Sequence, residues 1–244
     1  MTPALRIGAS GWHYPHWRGS FYPVDLPATE MLAFYARHFD TVEINYSFYR
    51  LPTPDAANAW RAATPPDFCF AVKASRFITH MKKLRDPEPA LARLQPVLDA
   101  LGAKRGPLLF QLPPRWARNR ARLAEFLHSL PRNVPCAFEF RDASWHHPEI
   151  YDVLKQHNAA FCIYDLAGFR APLAITADFT YVRLHGPHEA YGGSYSPQAL
   201  AAWARRIRDW GDLRQVYVYF DNDQAAYAVR NALALKKLLF ENQK

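Results

Sequence analysis

The sequence predicts a single α/β domain, a (β/α)₈ TIM barrel whose eight strands run parallel. Its 244 residues match the roughly 250 residues of a typical barrel. Eight short apolar runs follow one another along the chain, and segments with helical periodicity separate most of them. Hydrophobic residues make up 50% of the chain and charged residues 21%, as in a globular protein. We therefore predict one barrel domain spanning residues 1–244.

The eight apolar runs are rich in β-branched and aromatic residues and have the length of strands. Such runs are typical of strands that are buried on both faces of a parallel sheet. In chain order they are Arg6–Ser10, Thr41–Asn45, Cys69–Ala74, Leu108–Leu112, Cys136–Phe140, Ala160–Tyr164, Thr180–His185 and Gln215–Phe220.

Helical periodicity fills most of the connections between these runs. The predicted helices are Ala28–Phe39, Glu88–Leu101, Asn119–Leu130, Pro148–His157, Pro197–Trp210 and Gln224–Phe240. Three helix starts pair a capping residue with a following proline, namely Thr53, Asp86 and Ser196. The connection from Asp165 to Asp178 is short and contains Gly168 and Pro172. We therefore predict that the sixth helix is irregular or missing.

A doubly wound sheet would use the same alternation of strands and helices, but it usually carries a phosphate-binding loop at a strand-to-helix turn. The segment Gly8–Gly11 offers the one candidate for such a loop. The residues that follow it, Trp12–Pro15, do not open a helix. The barrel is therefore favoured.

Polar side chains concentrate toward the C-terminal ends of the predicted strands. These residues are Glu43, Asn45, Lys73, Gln111, Glu139, Arg141, Asp165, Arg183, His185, Asp221 and Asn222. In a TIM barrel the C-terminal strand ends converge on one mouth, where active sites lie. The pattern predicts a functional site at that mouth. The alternative is a buried lattice of ion pairs that closes the top of the barrel without chemistry.

Seven segments of the chain resemble the family of domains of unknown function number seventy-two, also called YecE-like proteins. They are Ile7–Trp12 (IGASGW), Val42–Tyr49 (VEINYSFY), Phe70–Lys73 (FAVK), Leu109–Pro114 (LFQLPP), Glu139–Trp145 (EFRDASW), Val182–Gly186 (VRLHG) and Val218–Asp223 (VYFDND). The resemblance implies a TIM barrel with no established activity. It also implies a polar mouth formed by Glu43, Asn45, Lys73, Gln111, Glu139, Arg141, Arg183, His185 and Asn222. Two positions depart from the family pattern: Asp142 replaces a frequent histidine, and Asp221 replaces a frequent asparagine.

The leading hypothesis is an enzyme, a hydrolase or a lyase, that acts on a small anionic or sugar-like substrate, phosphorylated or not. Glu43 or Glu139 would act as general base, and Arg141 with Arg183 would hold negative charge. Lys73 would act as an acid or a clamp, or would form a Schiff base if its pKa were depressed. The further candidates are His185 for catalysis and Trp12, Asn45, Tyr46, Gln111 and Asn222 for substrate binding.

Two other enzymatic hypotheses involve the acidic residues of the mouth. Glu43 and Glu139 could face each other as a glycosidase acid and base, although the neighbouring cations would lower the pKa of the acid. A divalent metal is disfavoured because only His185 is well placed among the histidines. We predict no metal and no other cofactor.

A nucleic-acid-binding protein is the alternative of a different class. The chain carries 30 Lys and Arg residues against 22 Asp and Glu, a net charge of +8, which favours anionic partners. Aromatic residues crowd the first loop, and stacking platforms near basic groups suit exposed bases. For Trp12 and Trp17, a structural role as a plug over the barrel is the favoured interpretation.

The chain shows no cysteine pair typical of zinc sites and no apolar run that approaches the ~20 residues of a membrane span. Its first residues, Met1–Ile7, lack a secretion signal. We therefore expect a cytoplasmic protein without a membrane partner. The oligomeric state stays open.

Overall fold

The computed structural model describes residues 3–131 and 134–240. Eight parallel strands form a nearly closed barrel, which confirms the predicted fold class. The barrel strands are β1 (Ala4–Ala9), β2 (Thr41–Ile44), β3 (Cys69–Lys73), β4 (Arg105–Leu112), β5 (Cys136–Phe140), β6 (Ala160–Leu166), β8 (Phe179–Leu184) and β9 (Gln215–Phe220). A two-residue strand, β7 (Phe169–Arg170), pairs antiparallel with the end of β6.

Helices surround the barrel in the predicted alternation. They are α1 (Met31–Tyr35), α2 (Pro54–Ala62), α3 (Glu88–Leu101), α4 (Arg120–Ser129), α5 (Pro148–Gln156), α6 (Pro197–Asp209) and α7 (Tyr227–Phe240). In the described part of the chain a β6–β7 hairpin stands where the sixth helix would be, as predicted. The first helix is shorter than the predicted Ala28–Phe39, because residues 28–30 form a 3₁₀ turn and, after the helix ends at Tyr35, Arg37 and His38 donate to i−3 carbonyls.

Two of the three predicted helix caps are present. Thr53 accepts a hydrogen bond from the Ala56 amide at 3.2 Å, and Ser196 accepts one from the Ala199 amide at the same distance. The cap predicted at Asp86 is wrong, since α3 begins at Glu88 and Pro87 holds the cap position. Asp86 adopts a left-handed backbone with φ of 44°, whereas a cap residue typically has an extended backbone.

Two apolar layers place the polar residues at the mouth. Outside the barrel, aromatic and aliphatic side chains fill the space between strands and helices. Inside it, a second cluster lies toward the N-terminal ends of the strands and combines small residues with Tyr181, Tyr217 and Tyr219. These tyrosines fill the interior below the strand ends, so the polar side chains rest on a packed floor and the barrel is not a pore.

The junction between β1 and β2 closes the barrel through a tyrosine. The two strands share a single bridge between Ser10 and Glu43, with the Gly11 amide donating to the Glu43 carbonyl at 2.9 Å. Below it, the Tyr35 hydroxyl accepts from the Ala9 amide at 2.8 Å and donates to the Thr41 carbonyl at 3.0 Å. The side chain from α1 thus supplies the hydrogen bonds that a regular ladder would have made.

Replacing Tyr35 by phenylalanine tests this junction. The variant leaves a buried amide and a buried carbonyl without a partner, so we expect a loss of about 1–3 kcal/mol in the free energy of unfolding. Urea denaturation followed by circular dichroism measures it. The control is Tyr49→Phe, since Tyr49 is 69% exposed. Equal stability of Tyr35→Phe and the parent protein would contradict the bridging role.

Candidate functional site

A single buried guanidinium lies at the centre of the mouth. Arg183, on β8, has no exposed side-chain surface. It binds Glu43 through two nitrogens, at 2.7 Å and 3.0 Å, Glu139 at 2.8 Å and Asp221 at 2.9 Å. Burial disfavours its charge, but the three carboxylates outweigh burial and raise the pKa of Arg183 well above the ordinary value. Arg183 is therefore a permanent cation.

Glu43 has both carboxylate oxygens occupied. Besides Arg183, it accepts hydrogen bonds from the Ser10 hydroxyl and from the Tyr181 hydroxyl at 2.6 Å. The residue is fully buried. Glu43 thus acts as a fixed counter-charge in the wall between β1, β2 and β8.

Glu139, the last but one residue of β5, is held from three sides. It accepts hydrogen bonds from Arg183, from Arg141 and from the Gln111 amide at 2.8 Å. Burial opposes its ionisation, but the Arg141 and Arg183 guanidinium groups together hold the pKa of Glu139 well below its ordinary value. Glu139 is accordingly an ionised carboxylate at neutral pH.

The hydrogen-bond partners of His185 assign its tautomer. Two guanidinium nitrogens contact Nε2, one from Arg141 at 3.1 Å and one from Arg183 at 3.2 Å. Guanidinium groups only donate, so Nε2 accepts and the proton resides on Nδ1. Nδ1 then donates to Asp221 at 3.0 Å.

Lys73 differs from the other cations of the mouth. It ends β3 and is 5% exposed, and among the described residues its ammonium has no hydrogen bond or ion pair. Instead Nζ lies 4.3 Å above the centroid of the Phe48 ring. Burial, followed by the charge of Arg183, lowers the pKa of Lys73 to about 8. The lowered pKa makes the neutral amine more abundant at neutral pH than it is in an ordinary lysine.

His80 belongs to the same region and was missed by the sequence analysis. It lies in a π-helical turn, Phe77–Met81, a geometry frequent at functional sites. Its ring packs 5.1 Å from the Phe48 ring, and Thr79 hydrogen-bonds its Nδ1 at 2.9 Å. Burial and the charge of Lys73 lower the pKa of His80. No motif marks this turn in the sequence.

The mouth unites seven of the eleven predicted site residues: Glu43, Lys73, Gln111, Glu139, Arg141, Arg183 and His185. Trp12, Asn45 and Tyr46 line a groove beside it. Asn222 donates to the Gly193 carbonyl at 2.8 Å and to Asn231 at 2.9 Å, so it ties the loop after β8 to α7.

Three further residues have defined structural partners. Asp221 joins the ion-pair network through Arg183 and His185. Asp142 caps the turn after β5 by accepting from the Ser144 amide at 3.0 Å. Trp17 is fully buried and donates to the Asp223 carbonyl at 3.0 Å, so it has a structural role, and its position as a plug over the barrel stays a prediction.

Cationic side chains of the protein balance the negative charge of the mouth. Within residues 3–131 and 134–240, no group of three or more His, Cys, Asp or Glu side chains has an arrangement that could hold a metal ion. Arginine nitrogens contact each of the three carboxylates. In the same ranges, no helix is long and apolar enough to cross a membrane.

Comparison with known proteins assigns the family. The family model described as "Protein of unknown function DUF72" matches residues 6–244. The chain belongs to the DUF72 family. This confirms the resemblance drawn from the seven sequence motifs. The description of the family assigns it no activity.

Relatives and solved structures agree with the DUF72 assignment. The chain is 26% identical to the UPF0759 protein YunF of Bacillus subtilis, over 96% of this chain and 94% of YunF. It is 33% identical to the UPF0759 protein YecE of Escherichia coli K12, over 60% of this chain and half of YecE. A crystal structure of a DUF72 family protein from Thermotoga maritima superposes with a TM-score of 0.87 and 28% identity, over 97% of this chain and 99% of that one.

The ion-pair network predicts how stability responds to the loss of Arg183. In Arg183→Met, several buried carboxylates lose a cation, so we expect a loss of about 3–5 kcal/mol at pH 7. The control is Arg214→Met, which breaks the exposed pair with Asp178 and should cost at most about 1 kcal/mol. Urea unfolding curves give both values, and a similar small cost for both variants would contradict the central role of Arg183.

The same network sets the pH dependence of stability. The folded pKa values of Glu139 and Asp221 are lowered, so their stabilisation is complete above the unfolded values near 4 and is lost as pH falls through the folded ones. In Arg183→Met the carboxylates have lost their cation, so their protonation costs less stability than it does in the parent protein. The difference in the free energy of unfolding between the two proteins should therefore narrow toward acid pH. A gap that is constant with pH would contradict this linkage.

Proposed function

We propose that this DUF72 protein is an enzyme that uses the amine of Lys73 on a small sugar-like or anionic substrate bearing a carbonyl group. The observation that carries the proposal is the state of Lys73. Its ammonium is buried at a strand end and has no ion pair among the described residues, whereas each carboxylate of the mouth is already bound by arginine. A desolvated lysine beside another cation is an activated nucleophile.

The reaction begins with addition of the neutral amine to the carbonyl carbon. A carbon–nitrogen bond forms, the carbonyl oxygen takes up protons and leaves as water, and an imine remains. The protonated imine then takes up the electron pair of a C–H or C–C bond at the neighbouring carbon. A proton is released to a base, or a carbon fragment leaves as a carbonyl compound whose hydroxyl proton goes to that base. Water finally hydrolyses the imine and restores the amine of Lys73. Of the two enzyme classes considered, hydrolase and lyase, this chemistry is typical of a lyase.

Arg141 supports binding of an anionic group on the substrate. Its side chain is 12% exposed. Nε contacts Glu139 and Nη2 contacts His185, while Nη1 has no hydrogen bond to a described residue. That nitrogen is a donor suited to a carboxylate or phosphate oxygen.

His80 is the better candidate for proton transfer near Lys73. A general base works best with a pKa near the operating pH, and the pKa of Glu139 lies well below that range. His80 is half-buried, packs against the Phe48 ring that Lys73 also contacts, and has a pKa that burial and the charge of Lys73 lower. The carboxylates then serve as counter-charges rather than as the base.

Reductive trapping tests the proposal. The protein is incubated with borohydride and a panel of glycolaldehyde, glyceraldehyde, dihydroxyacetone and their phosphates, and peptides are examined by mass spectrometry. We expect a reduced adduct on Lys73 whose yield rises as pH increases toward 8, because the neutral amine then becomes abundant. Lys73→Met should give none.

Lys236 provides the matched control. Its pKa is also lowered by burial, but it lies outside the mouth and donates to the His38 carbonyl at 2.8 Å. Lys236→Met should leave the Lys73 adduct unchanged. The proposal fails if the folded protein gives no Lys73 adduct with any member of the panel at pH 8, or if labelling is spread evenly over its lysines.

A further inference from the structure

An aromatic groove of about 740 Å³ extends from the mouth between the first and second βα units. Its lining includes Trp12, Tyr14, Asn45, Tyr46, Tyr49 and Trp60. The volume lies within the range of small-molecule sites. Tyr46 and Tyr49 are 55% and 69% exposed, so aromatic surface is presented to solvent along the groove.

The groove is joined to the mouth through Tyr14. The Tyr14 hydroxyl donates to the Ser10 carbonyl at 2.7 Å, and the Ser10 side chain contacts Glu43. Burial and the nearby Asp221, Asp223 and Glu43 charges raise the pKa of Tyr14, so its hydroxyl stays protonated. One side chain therefore borders both the ion-pair network and the groove.

Asn45 leaves an unused acceptor in this region. Its Oδ1 atom is buried and has no hydrogen-bond partner among the described residues. A buried carbonyl oxygen without a hydrogen-bond partner carries a desolvation cost. A ligand that donates a hydrogen bond to Oδ1 would recover that cost.

The side chains that line the groove are mainly aromatic, aliphatic and neutral polar groups. Its lining contains His13 but no Lys, Arg, Asp or Glu. Nucleic acids are bound largely through phosphate contacts to Lys and Arg, so the lining is unsuited to a nucleic-acid strand. Aromatic faces with neutral hydroxyl and amide groups suit a ring that has C–H faces and hydroxyl edges.

We infer that this groove binds the ring of a neutral sugar, with Tyr49 against its face and Asn45 accepting from a hydroxyl. Trp12 and Trp60 also line the groove, and their rings meet edge to face at 5.2 Å. The groove is a binding subsite separate from Lys73. Its occupancy does not depend on whether Lys73 reacts with a carbonyl.

Saturation-transfer NMR on the whole protein tests the inference. The probes are the methyl glycosides of glucose, galactose, mannose and N-acetylglucosamine, with maltose and cellobiose, and adenosine and thymidine serve as planar alternatives. We expect saturation transfer to at least one sugar. Tyr49→Ala should weaken its affinity about three- to tenfold, the effect of one lost aromatic contact, and Asn45→Leu should weaken it while preserving side-chain size.

Two controls separate this inference from the proposed function. Phe240→Ala removes an aromatic ring that is 49% exposed outside the groove, and it should leave sugar binding unchanged. Lys73→Met should abolish reductive trapping yet retain sugar binding. The inference is overturned if no sugar of the panel binds, if the nucleosides bind in preference, or if folded Tyr49→Ala and Asn45→Leu bind the sugar as the parent protein does.

Discussion

The salt bridges of Arg183 inside the barrel are the interaction on which the mouth depends. Charged groups are costly to bury unless each is paired and hydrogen-bonded. A guanidinium is planar and has five donors, so one Arg183 can bind Glu43, Glu139 and Asp221, which come from three different parts of the barrel wall. The strand ends are thereby fixed relative to one another around a common centre.

This arrangement reconciles the two interpretations of the polar strand ends. The carboxylates form a buried ion-pair lattice, and the guanidinium between Glu43 and Glu139 leaves those two poorly placed to flank a glycosidic bond. The same lattice leaves Lys73 outside its salt bridges. The charges of Glu43, Glu139 and Asp221 are balanced by Arg141, Arg183 and Lys73, and Lys73 alone of these six groups has no ion-pair contact among the described residues. The ion-pair lattice around Arg183 thus supports the proposed site at Lys73.

The barrel and the polar mouth could be predicted because local patterns encode them. Apolar runs, helical periodicity and polar residues at the ends of most strands are all visible along the chain, and parallel strands bring those ends together. The ion-pair partner of each mouth residue could not be predicted, since the contact of Arg183 with Glu43 depends on the strand register around the whole barrel. Tyr181 could have been predicted as a neighbour of the network, because it lies two residues before Arg183 and so faces the same side of β8. His80 was not, because a π turn has no sequence signature. The periodicity of residues 28–39 predicts one long helix. The observed helix is shorter, and Tyr35 at its end makes hydrogen bonds to β1 and β2.

The central claim is that the mouth holds one desolvated, unpaired lysine, and an NMR titration of the Lys73 side chain measures it most directly. The Lys73 resonance is assigned by its loss in Lys73→Arg, and its chemical shift is followed with pH. The structure predicts a midpoint near pH 8, lowered by burial and by Arg183. A midpoint near the ordinary lysine value of 10.5 would contradict it.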